Sequence, residues 1–189
     1  MVRLILASSS PRRKELLERI DHSFLTIASN VDETVDATIS PEKMVQQLAI
    51  RKAENIAKKF PNSYIIGADT IVVLEQKILT KPQDEKEAFH MLKSLSGKTH
   101  EVYTGVSVFY QQRYKSFVEK ASVTFWELSD EEIQQYMDSG EPFDKAGAYG
   151  IQGKGALLVN KIEGDYYTIV GLPIAKLNRV LKEMGYFKK

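Results

Sequence analysis

The chain has no cysteine among its 189 residues, which excludes disulfide frameworks, thiolate nucleophiles and cysteine-ligated zinc together. Long apolar runs are missing as well. Met1 leads into Val2-Arg3-Leu4-Ile5-Leu6, too short for a signal-peptide core or a membrane span, and meets Ser8-Ser9-Ser10 at once. A cytoplasmic protein with no membrane association is the expectation. There is no excess charge of either sign: 26 Lys and Arg against 25 Asp and Glu leave a formal net charge of +1. No global field therefore draws the chain to nucleic acid or anionic lipid, and any basic site has to be local. Repeats, low-complexity tracts and linkers are lacking too, so residues 1–189 read as a single domain. What remains is ordinary globular material, 43% apolar and 27% charged, long enough to bury a core without staples.

Hydrophobic periodicity and punctuation predict an α/β fold with a mixed central sheet flanked by helices. The first half alternates: strand Leu4 to Ala7, helix Pro11 to Ile20, strand Phe24 to Ala28, helix Pro41 to Phe60, then an apolar strand from Tyr64 to Leu74. Asp84 with Glu87 opens a helix that stops at Gly97. Two strands, Glu101 to Tyr110 and Tyr114 to Glu127, flank the Gln111-Gln112-Arg113 turn as a hairpin. Ser129 with Glu132 opens a helix ending near Gly140, and a glycine-rich loop follows. Strands Ala156 to Lys161 and Tyr166 to Val170 and a last helix from Pro173 complete the order.

Four places look chemical. Ala7-Ser8-Ser9-Ser10-Pro11-Arg12-Arg13 carries a strand into a helix, with Ser10 as N-cap and Pro11 at the first helical position. Arg12 and Arg13 then face the positive end of the helix macrodipole, which costs about 0.3–1 kcal/mol each. A phosphate would repay that, since free N–H groups, three hydroxyls and two guanidiniums converge there. A solvated turn with locally paired arginines is the plain alternative. Lys52 falls on the apolar stripe of its helix, four residues from both Leu48 and Ile56. Snorkelling to the surface is its ordinary fate.

Gly67-Ala68-Asp69-Thr70 breaks an apolar central strand with an acid. An unpaired buried carboxylate costs several kcal/mol, so Asp69 is paired, metal-bound, or set at a cleft where Gly67 bends the backbone. The cleft is the favoured reading, because costly acids cluster at sites. Asp32-Glu33 adds carboxylates that could share a hard cation with it, a polar loop being the plain alternative. The segment from Asp144 to Gly155 holds four glycines around Gln152, an amide able both to donate and to accept. Lys81-Pro82 on its own reads as a turn. Other motifs fail: Gly97-Lys98-Thr99 follows a helix and lacks the earlier P-loop glycine, no GxSxG elbow exists, and His22, His90 and His100 have no paired ligand spacing.

In this order, LASSSPRRKELL, Asp32-Glu33, RKAE around Lys52, GADTIVV, KPQDEKEA and DKAGAYGIQG closely resemble the Maf family of nucleotide pyrophosphatases, related in fold to the inosine triphosphate pyrophosphatases. The resemblance spans nearly the whole chain. It implies an elongated two-lobed α/β fold with a cleft, and Asp69 as catalytic acid/base. It implies phosphate contacts from Ser8, Arg12, Arg13, Lys52 and Lys81, and a divalent metal (Mg, Mn or Co) held by Glu33 and Asp69. Arg12, Thr70 and Gln152 match the branch acting on dTTP and UTP. That branch implies hydrolysis of pyrimidine nucleoside triphosphates, including modified ones, to monophosphate and pyrophosphate. The resemblance also suggests a homodimer, and a role in septum formation through protein contacts is the non-enzymatic alternative. Whether Asp69 is mainly base or mainly ligand is open, and a nucleic-acid partner is not expected.

Overall fold

The computed structural model describes residues 3–34 and 38–187. By contacts the chain divides into two units, one of Met1–Asp69, Thr104–Glu119 and Gly171–Lys189, the other of Thr70–Tyr103 and Lys120–Val170. Strands β1 (Leu4–Leu6), β2 (Phe24–Thr26), β3 (Tyr64–Leu74), β4 (Lys77–Leu79), β5 (Thr99–Tyr110), β6 (Arg113–Phe125) and β7 (Val159–Glu163) form a mixed sheet. Its order is β2-β1-β3-β5-β6-β7, with β4 paired to β3. The expected α/β class with a mixed sheet is therefore what the chain adopts.

In the first unit β1 lies parallel to both β2 and β3, with Leu6 opposite Thr26 on one side and Ile66 on the other. Parallel strands buried on both faces need continuous apolar sequence, and Leu4, Ile5, Leu6, Ile65 and Ile66 are fully buried. Helix α1 (Pro11–Glu18) starts where the sequence says it should, with Ser10 capping the Arg13 amide at 3.4 Å. Helix α2 (Pro41–Ala57) starts likewise at Ser40, which accepts from the Lys43 amide. It buries Val45, Leu48, Ala49, Ala53 and Ile56.

Two glycines let α2 approach the strands closely. A Cβ at Gly67 would meet the Ala49 carbonyl and stand 2.7 Å from the Ala53 amide nitrogen, and one at Gly105 would stand 2.8 Å from that of Gln46. Backbone lies against backbone here, so only glycine fits.

In the second unit, β3 turns into β4 through Glu75 and Gln76, both in the left-handed region (φ 49° and 66°). This hairpin was not legible in the sequence, because its turn lacks the usual glycine or asparagine. The Gln111-Gln112 hairpin turn (φ 47° and 64°) in the first unit was, because long strands flank it. Helix α3 (Glu85–Leu95) is capped by Asp84, and Glu87 returns a bond to the Gln83 amide. Helix α4 (Asp130–Met137) has the full reciprocal box between Ser129 and Glu132. Both caps follow the sequence.

Two expected strands in the second unit are corrected. Tyr166–Val170 is a short helix, α5. Its start signal is Asp165, which accepts from the Tyr167 amide at 3.2 Å and takes the Thr168 hydroxyl as well. Residues 156–158 belong to a tight 3-10 turn, Lys154–Leu158, and the strand proper begins at Val159. Leu157, 79% exposed, had imitated a strand position. Helix α6 (Ile174–Glu183), in the first unit, follows Pro173 as expected.

Candidate active site

Two segments of the first unit leave the carboxyl ends of β1 and β2, and β3 runs on past its parallel pairing with β1 on the same side. In open α/β sheets that is where ligands bind. The segment after β1 holds Ser8 to Arg13, the one after β2 holds Asp32 and Glu33, and β3 continues from Ile66 to Asp69. The Ala7 amide still bonds the Ile66 carbonyl at 2.7 Å, so the serine loop begins right beside the Asp69 strand.

Lys52 of α2 enters this group from one side. Its Nζ lies 2.5 Å from Asp69 Oδ1 and 2.8 Å from Glu33 Oε1. The Lys52 and Asp69 side chains are only 11% and 12% exposed, whereas Glu33 is open to solvent. Of the fates open to Asp69, pairing is thus realised. Lys52 does not snorkel, since its stripe position points the ammonium at the acid instead of at water. Removing Lys52 would leave the desolvated Asp69 carboxylate with only the Arg13 charge nearby, whereas Lys52 would keep Glu33 if Asp69 were removed.

Arg13 completes the cluster. Its Nε donates to the Gly171 carbonyl at 2.9 Å, and a terminal nitrogen approaches Ser8 Oγ at 3.5 Å. Burial pushes its pKa down, while the nearby Asp69 and Glu33 carboxylates oppose that shift and Arg12 adds to it. A guanidinium keeps its charge through shifts of this kind. Ser8, itself buried, also accepts from the Ser10 amide at 3.1 Å. The structure therefore brings Ser8, Arg13, Glu33, Lys52 and Asp69 together, with Arg12 within electrostatic reach. Gly171, which fixes Arg13, was not singled out by sequence. It sits at φ 114°, a conformation suited to glycine.

Thr70, Lys81 and Gln152 belong to the second unit. Thr70 follows Asp69 along β3 and is half-buried, and Lys81 and Gln152 are exposed. The glycine loop is tied to the Lys81 segment by a bond from the Gly147 amide to the Thr80 carbonyl at 3.1 Å. A Cβ at Gly147 would stand 3.1 Å from the Val72 side chain. Ala148 takes a left-handed backbone (φ 59°) while fully buried. Such conformations persist where surrounding structure over-determines them, often at binding loops.

Among the described residues no group of three or more His, Asp or Glu side chains gathers to hold a metal. Glu33 and Asp69 do converge on one cation, the Lys52 ammonium. Two hard oxygen donors fit an ion of the magnesium type, which completes its shell with water and substrate phosphate instead of an all-protein cage.

The description "Maf-like protein" matches residues 3–184. The chain belongs to the Maf family. It is 53% identical over 186 residues to a protein of Geobacillus sp. (strain WCH70), covering 98% of this chain and all of that one. It is 55% identical over 187 residues to one from Carboxydothermus hydrogenoformans, again covering 98% and 100%. Both relatives are named dTTP/UTP pyrophosphatase. Among solved structures, this Maf-family chain shares its fold with the Staphylococcus aureus Ham1 protein, at TM-score 0.55, 16% identity and 96% and 99% coverage of the two chains. A HAM1 protein from Coxiella burnetii compares similarly, at TM-score 0.54, 12% identity, and 97% and 100% coverage. No helix among the described residues is long and apolar enough to cross a membrane.

Proposed function

We propose that this chain hydrolyses dTTP and UTP, and modified pyrimidine triphosphates of the cytoplasmic pool, to monophosphate and pyrophosphate with a divalent cation. The observation that carries the reading is the buried Lys52–Asp69 pair reached by Glu33, beside a serine loop and Arg13. The relatives' name supports the substrate class.

In this reading Asp69 Oδ1 is committed to Lys52, so Oδ2 takes a proton from the attacking water. The water oxygen bonds to the α-phosphorus, the bond from that phosphorus to the bridging oxygen breaks, and its electron pair leaves with pyrophosphate. Lys52, Arg12, Arg13 and Lys81 stabilise the charge on the departing phosphates, and Ser8 with the α1 amides orients them. Glu33 and Asp69 would hold a magnesium, manganese or cobalt ion, which would supply further charge neutralisation and Lewis acidity. Gln152 reads the base by offering its carbonyl to N3–H and its amide to O4 of uracil or thymine, a pattern cytosine reverses. Arg12 and Thr70 complete the substrate-binding set.

Incubating the protein with each common nucleoside triphosphate, with and without each metal, tests this. Expected products are UMP or dTMP plus pyrophosphate, with kcat lowered roughly 10²–10⁴-fold in Asp69→Asn. Diphosphate and orthophosphate as products, or full activity in Asp69→Asn, would overturn it. A purely regulatory binder would keep its biological effect in Asp69→Asn.

A further inference from the structure

The second unit contains a clamp on the loop that carries Gln152. The Lys154 amide donates to Glu141 Oε1 at 3.0 Å. Gly153 lies directly on the same carboxylate, and a Cβ there would stand 2.5 Å from Oε1 and 2.6 Å from Cδ. A side chain at the residue after Gln152 would displace this carboxylate, and the next residue is held by a charge-assisted bond. On the other side of Gln152, the Gly150 amide donates to the Tyr136 hydroxyl at 3.0 Å. Burial, with the Glu141 charge adding to it, holds that phenol neutral. Lys145 Nζ bonds the Glu141 carbonyl at 2.6 Å, and its aliphatic chain runs under Gly150, where a Cβ would stand 2.7 Å from Lys145 Cδ.

Glu141 Oε2 is buried, and the carboxylate interacts with the Tyr136 phenol as well as with the Lys154 amide. It fixes the backbone on the far side of Gln152.

We propose that Glu141 is a positioning residue for base selection: it clamps Gly153 and Lys154 so that the exposed Gln152 amide is presented in one orientation. This rests on the reading of Gln152 as the residue that distinguishes uracil and thymine from cytosine. None of the clamp residues belongs to the phosphate-binding set of the proposed reaction, so loss of the clamp acts on discrimination and KM and leaves turnover of the triphosphate largely intact.

The test compares Glu141→Ala, Glu141→Gln and Gln152→Ala on UTP, CTP and base-free ribose 5′-triphosphate, with amide exchange at Lys154 measured by NMR in the Glu141 variants. Glu141→Ala is expected to lower the UTP-to-CTP ratio of kcat/KM by roughly tenfold, mainly through KM for UTP. Hydrolysis of ribose triphosphate should be unchanged, and Lys154 exchange at least about tenfold faster. Glu141→Gln keeps an acceptor for the Lys154 amide and should retain the ratio. Equal losses on all three substrates, or unchanged exchange at Lys154, would overturn the clamp. If Gln152→Ala loses discrimination and Glu141→Ala keeps it, this inference fails and the base-reading role stands. If Gln152→Ala itself keeps discrimination, the base-reading role fails and this inference with it.

Discussion

Lys52 is the residue where sequence and structure meet most directly. On the helix it breaks an apolar stripe, and in the fold the same position puts its ammonium 2.5 Å from a carboxylate on a central strand. Each is the other's shortest ionic contact, with Glu33 second for Lys52. Lys52→Met should therefore lower stability by about 3–5 kcal/mol, the usual result of orphaning one member of a buried pair, read as a shift in urea midpoint. Lys52→Arg should recover part of that. Asp69→Asn leaves Lys52 a neutral acceptor and should cost less stability than activity. If Lys52→Met unfolds at the wild-type urea concentration, the pair is not structural in the sense argued here.

At the scale of elements, the position of α2 depends on glycine. Gly67 lies under Ala49 and Ala53, the residues that flank Lys52 along the helix. Gly67→Ala would force α2 away from β3 because the obstructing atoms are backbone. Overpacking of this kind costs about 1–3 kcal/mol, and the displacement also draws Lys52 away from Asp69. The variant should lose activity at temperatures where it remains folded, measured as kcat against a parallel thermal melt. Activity tracking only the folded fraction would contradict this coupling. Caps carried most of what the sequence revealed: Ser10, Asp84 and Ser129 each start a helix where their residue type predicts. The failures share a cause. Asp165 caps α5 just after Gly164, but the five-residue helix is too short to show a helical period, and Leu157 turned an apolar side chain outward in a 3-10 turn. The site was legible one residue at a time, since Asp69 and Lys52 are each out of place locally. Glu141 and Gly171 were not, because a loop carboxylate under a glycine and a carbonyl receiving an arginine leave no mark in residue type.

For the molecule as a whole, His100 sets a pH dependence. It is buried, its Nε2 meets the Tyr149 hydroxyl at 2.8 Å and its Nδ1 has no partner. Burial lowers its pKa from 6.5 to about 4. The folded state therefore favours neutral imidazole, and its contribution is complete above about pH 6.5. As pH falls from 6.5 toward 4 the unfolded chain takes up a proton that the folded one refuses. Stability should drop by roughly 3 kcal/mol across that window. His100→Gln should flatten the decline, as measured by urea unfolding at pH 7.5 and 5. An equal decline in both proteins would mean that the buried imidazole is not its source.

In the proposed reaction, water attacks the α-phosphorus under the control of Asp69. Hydrolysis of UTP in ¹⁸O-labelled water, with mass analysis of both products, tests this most directly. One label is expected in UMP and none in pyrophosphate. Label in pyrophosphate, or in orthophosphate released beside UDP, would place the attack at a different phosphorus and contradict it.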